Sequence, residues 1–219
     1  EAMMEGEVYP DFAILWMLCH QSRIEANKPQ NFWLEKWSQL ARERGTRVLA
    51  DLRNGVARAI EALGRGFIDH PRNDRLREKL HSGQLDTQEY YRQLLRIVYR
   101  LLFLFVAEDR RLMHPPDADA AACERYAHSS RRRLLERADQ SRGSRHADHW
   151  HTLALVFDSL SRPEGCPELG LPALGSFLWR RSSTPDLLGP AAKDADRVDE
   201  PTLITNYDLL SAVHALGYV

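Results

Sequence analysis

Apolar residues recur along most of this chain with a period near 3.6, and no segment alternates long enough to read as a strand. The pattern predicts helices. Asp11–Gln21 is apolar on nearly every side (Phe12, Ile14, Leu15, Trp16, Leu18) and reads as a short buried helix. Asn27-Lys28-Pro29-Gln30 reads as a turn, and Asn31 is placed to cap the helix that follows. Trp33, Trp37 and Leu40 then fall at i, i+4 and i+7. Gly45-Thr46 is a candidate interruption. The pattern resumes through Val48, Leu49, Leu52, Val56, Ile60 and Leu63, and is expected to stop at Gly64-Arg65-Gly66.

A short helix is expected over Asp74–His81, closed by Gly83. The strongest signal follows it. Asp86-Thr87-Gln88-Glu89 resembles a capping box, with the Asp86 carboxylate expected to accept from free amides of the first turn. From Tyr90 to Arg111 apolar residues wrap most of the helix, which must therefore lie centrally with other helices packed around it. One or two polar helices are expected over Ala118–Arg142, and an amphipathic one over His146–Leu160. Ser161–Pro201 holds six prolines and four glycines and reads as an irregular arm with a short turn near Leu174–Trp179. A closing helix starts at Thr205 or Asn206. The expected fold is all-α: an irregular multi-helix bundle (10–160) around Tyr90–Arg111, an irregular arm (161–201) and a closing helix (205–217), forming a single module.

Composition narrows the setting. The chain has 219 residues and a formal charge of −1, which gives no global attraction to nucleic acid or membrane. Its three cysteines, Cys19, Cys123 and Cys166, form no CxxC pair, so neither a disulfide framework nor a zinc ribbon is indicated, and a reduced, cytoplasmic setting is expected. The longest apolar runs are too short for a membrane helix. A first residue of Glu rather than Met suggests a piece of a longer polypeptide.

The search for chemistry returns little. Gly64-Arg65-Gly66 follows a helix, not a strand, and reads as a helix stop rather than a nucleotide cradle. None of Lys28, Lys36, Lys79 or Lys193 has an acid two residues before it, so the acid-x-Lys element of restriction-type nucleases is missing. The only adjacent prolines, Pro115 and Pro116, lie between His114 and Asp117, so the Asn/Asp-Pro-Pro-aromatic loop of amino-methylating enzymes is missing too. His146, His149 and His151 offer a weak metal alternative, because His151 points away from the face that the other two share. One local patch is basic. Arg131, Arg132, Arg133, Arg137, Arg142 and Arg145, with Arg125, stand against only Glu136 and Asp139, and are the candidates for contact with DNA phosphates. A plain solvated face, with the acidic stretch Asp194–Glu200 folding back to neutralise it, is the competing reading.

The run from Tyr91 to Arg110, YRQLLRIVYRLLFLFVAEDR, resembles the central helix of large single-chain adenine-specific DNA methyltransferases. That group includes type IIG restriction–modification enzymes and the methyltransferases of the BREX and DISARM phage-defence systems. Asp11–Arg23, Trp33–Pro71, Arg145–Leu160 and Thr205–Gly217 resemble the same region, in the same order. The resemblance implies a helical connector lying between an N-terminal, often nuclease-like, region and the catalytic domain, with duplex DNA as substrate. It implies S-adenosylmethionine bound outside this chain, which itself carries neither cofactor nor catalytic residues. A free-standing adaptor binding protein partners in phage defence is the alternative.

Overall fold

The structure is a computed structural model that describes residues 8–21, 32–127, 131–140, 143–189 and 202–217. It is all-α, as the periodicity requires. Among the described residues the only β-type pairing is an isolated bridge between Cys166 and Leu171. The helices are α1 (Val8–Cys19), α2 (Trp33–Asp69), α3 (Asp74–His81), α4 (Thr87–Asp109), α5 (Ala120–Ala127), α6 (Arg131–Gln140), α7 (Asp148–Ser161), α8 (Pro185–Leu188) and α9 (Asn206–Gly217). Three 3-10 turns, Pro167–Leu169, Phe177–Trp179 and Arg181–Ser183, occupy the arm. No helix among the described residues is long and apolar enough to cross a membrane. The chain divides into two compact units, Glu1–Asp51 and Leu52–Val219.

The first unit holds α1 and the start of α2. The expectation of a buried α1 fails: Phe12, Ile14, Leu15, Trp16 and Met17 are each between 46% and 56% exposed. Trp33, Leu34, Trp37 and Leu40 of α2 are also exposed. Instead of entering a core, the rings stack along their own helices, Trp16 on His20 at 4.6 Å and Trp33 against Trp37 at 6.0 Å between ring centroids. The Lys36 ammonium sits 5.5 Å over the Trp33 ring. The turn at Asn27–Gln30 and the Asn31 cap lie outside the described residues.

The second unit holds the core. Ile97, Val98 and Leu101 of α4 are fully buried, and Leu94, Leu104 and Phe105 nearly so. Around them pack Leu63 and Phe67 of α2, Trp150, Leu153, Phe157 and Leu160 of α7, Leu187 and Leu188 of α8, and Leu209 and Val213 of α9. Phe67 meets Trp150 edge-on at 5.0 Å. The centrality of α4 is correct on this side. Its opposite side faces solvent at Tyr91, Tyr99, Phe103 and Val106, so helices do not surround it.

The glycine interruptions do not materialise. Helix α2 runs through Gly45 and Gly64–Gly66 to Asp69. A glycine inside a helix costs only about 1 kcal/mol, which tertiary packing can outweigh. Gly66 also has a packing reason, since a Cβ there would lie 2.5 Å from Asp208 Cβ and 2.8 Å from the Ile204 side chain. Asp86 takes the extended N-cap conformation, yet its carboxylate caps no amide; its backbone carbonyl accepts from Tyr90 N at 2.9 Å. The side-chain cap appears instead at α9, where Thr205 Oγ1 accepts from Asp208 N at 3.1 Å and donates to Asp208 Oδ2 at 2.6 Å. Asn73 anchors the approach to α9, donating to Leu203 O at 2.6 Å and accepting from Leu203 N at 3.0 Å.

Candidate nucleic-acid interface

The arginine patch centres on α6. Leu134 is buried and Leu135 packs partly against the core, which fixes this helix on α9. Arg131, Arg132 and Arg133 occupy its first turn. Their side chains, and all of Arg142, lie outside the described residues. Arg137 and Arg145 are exposed. Arg125, one helix earlier, is engaged elsewhere: its Nε donates to Glu168 O at 2.7 Å. The acidic stretch at 194–200 also lies outside the described residues.

Arg137 ends a polar chain at the start of α7. Its Nη1 lies 3.2 Å from His149 Nε2, and His149 Nδ1 lies 3.3 Å from Asp148 Oδ2. Asp148 Oδ1 accepts from Asn206 Nδ2 at 2.7 Å, while Asn206 Oδ1 accepts from His149 N at 3.2 Å. A neutral imidazole with its proton on Nδ1 satisfies both ring contacts, because Arg137 can only donate. The Asn206 hydrogen bond holds the Asp148 carboxyl below the usual range against partial burial, with help from a backbone hydrogen bond and the Arg137 charge. This chain ties α6, α7 and α9 together and leaves the Arg137 guanidinium at the surface, where its remaining N–H groups can meet a phosphate. His146 and His151 are exposed. Among the described residues no group of three or more His, Cys, Asp and Glu side chains is arranged to hold a metal ion.

Sequence reasoning missed the polar residues that hold the arm. Arg100 of α4 has no exposed surface. Its Nε donates to Leu178 O at 2.8 Å, and its Nη2 to Arg180 O at 3.1 Å and Ser183 Oγ at 2.7 Å. The guanidinium lies 5.2 Å from the centroid of the Phe157 ring. Burial lowers its pKa to about 10, so it stays charged at neutral pH. Beside it, Arg96 Nη1 donates to Ser183 O at 2.7 Å. Asp158 and Arg181 form an ion pair, and Gln93 exchanges two hydrogen bonds with Asp186, at 2.8 and 3.0 Å. An arginine every fourth residue (Arg92, Arg96, Arg100) within so apolar a helix was the available signal.

Comparison of the chain with protein-family models, with curated proteins and with solved structures returns no match.

Proposed function

We propose that this chain is a helical connector of an adenine-specific DNA methyltransferase or restriction–modification enzyme. It positions catalytic and recognition domains on duplex DNA and relies on those domains for S-adenosylmethionine and for the reaction. The observation that carries the reading is the surface of the first unit. Ten large apolar side chains of this unit, Phe12, Ile14, Leu15, Trp16 and Met17 of α1 and Trp33, Leu34, Trp37, Leu40 and Leu49 of α2, are exposed to solvent. Large apolar side chains left exposed in such number mark protein contact surfaces. A connector needs such faces, and an enzyme domain complete in itself does not. The resemblance of Tyr91–Arg110 and its four companion segments supplies the class of partner, a methyltransferase catalytic domain with or without a nuclease-like one. Arg137 and Arg145, with Arg131, Arg132, Arg133 and Arg142, supply the DNA-facing charge.

The test is the polypeptide itself. Intact-mass and peptide mapping of the protein from its native source should find these residues in a chain much larger than 25.2 kDa, with an Asn/Asp-Pro-Pro-aromatic loop elsewhere in it. A native polypeptide of 25.2 kDa would overturn the connector reading in favour of a free-standing adaptor.

A further inference from the structure

The solvent side of α4 carries an apolar stripe of its own. Tyr91, Leu95, Tyr99, Leu102 and Val106 follow one another at three- and four-residue spacing, with Phe103 beside them, which on a helix keeps all six within an arc of roughly 120°. Tyr91, Tyr99, Phe103 and Val106 are each between 42% and 54% exposed, while Leu95 and Leu102 are half-buried at the seam. The stripe is about 22 Å long at 1.5 Å per residue. It stops at polar residues on both ends, Gln88 and Glu89 before it and Asp109 and Arg110 after it. Phe177 of the arm, 58% exposed, widens it beside Arg96, whose guanidinium lies 5.8 Å from the centroid of that ring.

The rim carries a sign. On α4 itself Arg92, Arg96 and Arg110 border the stripe, against Glu89 and Asp109. Glu89 is shared between Arg92 at 3.3 Å and Arg96 at 2.9 Å, so one carboxylate faces two guanidinium groups. The border is therefore net positive around an apolar strip as long as four helical turns.

We propose that this stripe is the docking face for an acidic amphipathic helix of a protein partner. The partner helix would lay aliphatic side chains at i, i+4, i+7 and i+11 along Leu95, Tyr99, Leu102 and Val106, and set carboxylates on its flank opposite Arg92, Arg96 and Arg110. Length, straightness and spacing select a helix as the occupant, and the arginine rim selects its charge. Single-stranded nucleic acid fits less well: it needs a succession of open rings for bases, and here Leu95, Leu102 and Val106 interrupt the aromatics. The partner helix belongs to a separate protein, so the inference does not rest on the connector reading.

The test uses the full chain and a fluorescein-labelled synthetic helix of about 18 residues, with leucines at the stated spacing and glutamates on both flanks. Fluorescence anisotropy should show saturable binding. A companion peptide with lysines for the glutamates should bind at least about tenfold more weakly, as should Tyr99→Glu and Val106→Glu chains toward the acidic peptide. Both variants change exposed positions, and an unchanged circular dichroism spectrum and melting temperature will show that they remain folded. Three results would overturn the proposal. The acidic peptide could bind no better than its scrambled or lysine counterpart, or bind equally to both variants. A labelled oligothymidine could bind instead, with Tyr99→Glu abolishing it. Light scattering could show a dimer that Val106→Glu dissociates, which would assign the face to a second copy.

Discussion

Replacing Arg100 separates the two things this residue does, carry a buried charge and hold the arm. The side chain is fully buried and makes three hydrogen bonds, each charge-assisted and worth about 1.5–3 kcal/mol net of water in favourable cases. Against this stands a desolvation cost of several kcal/mol for the guanidinium. The two terms nearly cancel, so the consequence depends on what replaces it. Arg100→Met removes the charge and keeps much of the volume. The stranded acceptors remain partly satisfied, because Ser183 Oγ also donates to Leu178 O at 3.1 Å or Arg180 O at 2.8 Å. That variant should lose about 1–2 kcal/mol. Arg100→Lys keeps a buried cation but cannot reproduce the fork, and should lose about 3–5 kcal/mol. Arg100→Ala loses contacts and opens a cavity, and should fall in the same range of about 3–5 kcal/mol. Urea unfolding at neutral pH, followed by tryptophan fluorescence with buried Trp179 close to the altered contacts, measures all three. A lysine variant within about 0.5 kcal/mol of the parent, or a methionine variant worse than the alanine one, would refute this reasoning.

The structure explains both what the pattern reveals and what it hides. Asp74–His81, α4, α7 and α9 were legible because their periodicity is strong and their ends carry ordinary punctuation. The glycines of α2 misled because their backbone cost is small beside the packing that places Gly66 against Ile204 and Asp208. Asp86 misled because an N-cap residue can satisfy the helix start through its backbone alone. For α1 the apolar composition reads as burial, but composition supplies no surface to pack against, and Phe12, Ile14, Leu15, Trp16 and Met17 stay exposed. Arg100 was invisible for a different reason: an arginine on a helix ordinarily reads as solvated, and only the return of the arm some 80 residues later buries it. In the candidate DNA interface, the clustering of arginines was readable, but the Arg137–His149–Asp148–Asn206 chain depends on long-range contacts that periodicity does not encode.

Leu101→Ala and Phe105→Ala should each cost about 2–5 kcal/mol in urea unfolding, since both side chains sit in the core; a loss under about 0.5 kcal/mol would place α4 at the periphery. Asp186 is held below the usual carboxylate range: burial pushes its pKa up, but hydrogen bonds from Lys79 at 2.5 Å and Gln93 at 2.8 Å outweigh it. Its folded pKa is the lower one, so its stabilisation is present above the unfolded value of about 3.9 and is lost as pH falls through the folded value. Asp186→Asn should therefore flatten the acid side of the stability curve, and unfolding midpoints between about pH 2 and 6 that keep the parent's slope would contradict this. Changing Arg131, Arg132 and Arg133 to Gln should weaken duplex DNA binding at about 50 mM salt and reduce its salt slope; unchanged affinity would mark the patch as a solvated face.

In the proposed connector, the exposed apolar face of the first unit would rest against a methyltransferase domain. Lys36, held over the Trp33 ring and next to Trp37, is a natural reporter of that face, and the chain has only three other lysines to compete with it. Amine-reactive crosslinking of the native polypeptide, read by mass spectrometry, should join Lys36 to a lysine of the catalytic domain. Replacing Trp33 and Trp37 with Glu should abolish that link while links within the catalytic domain persist. A Lys36 that crosslinks only within these 219 residues, or whose link survives the double change, would contradict the account.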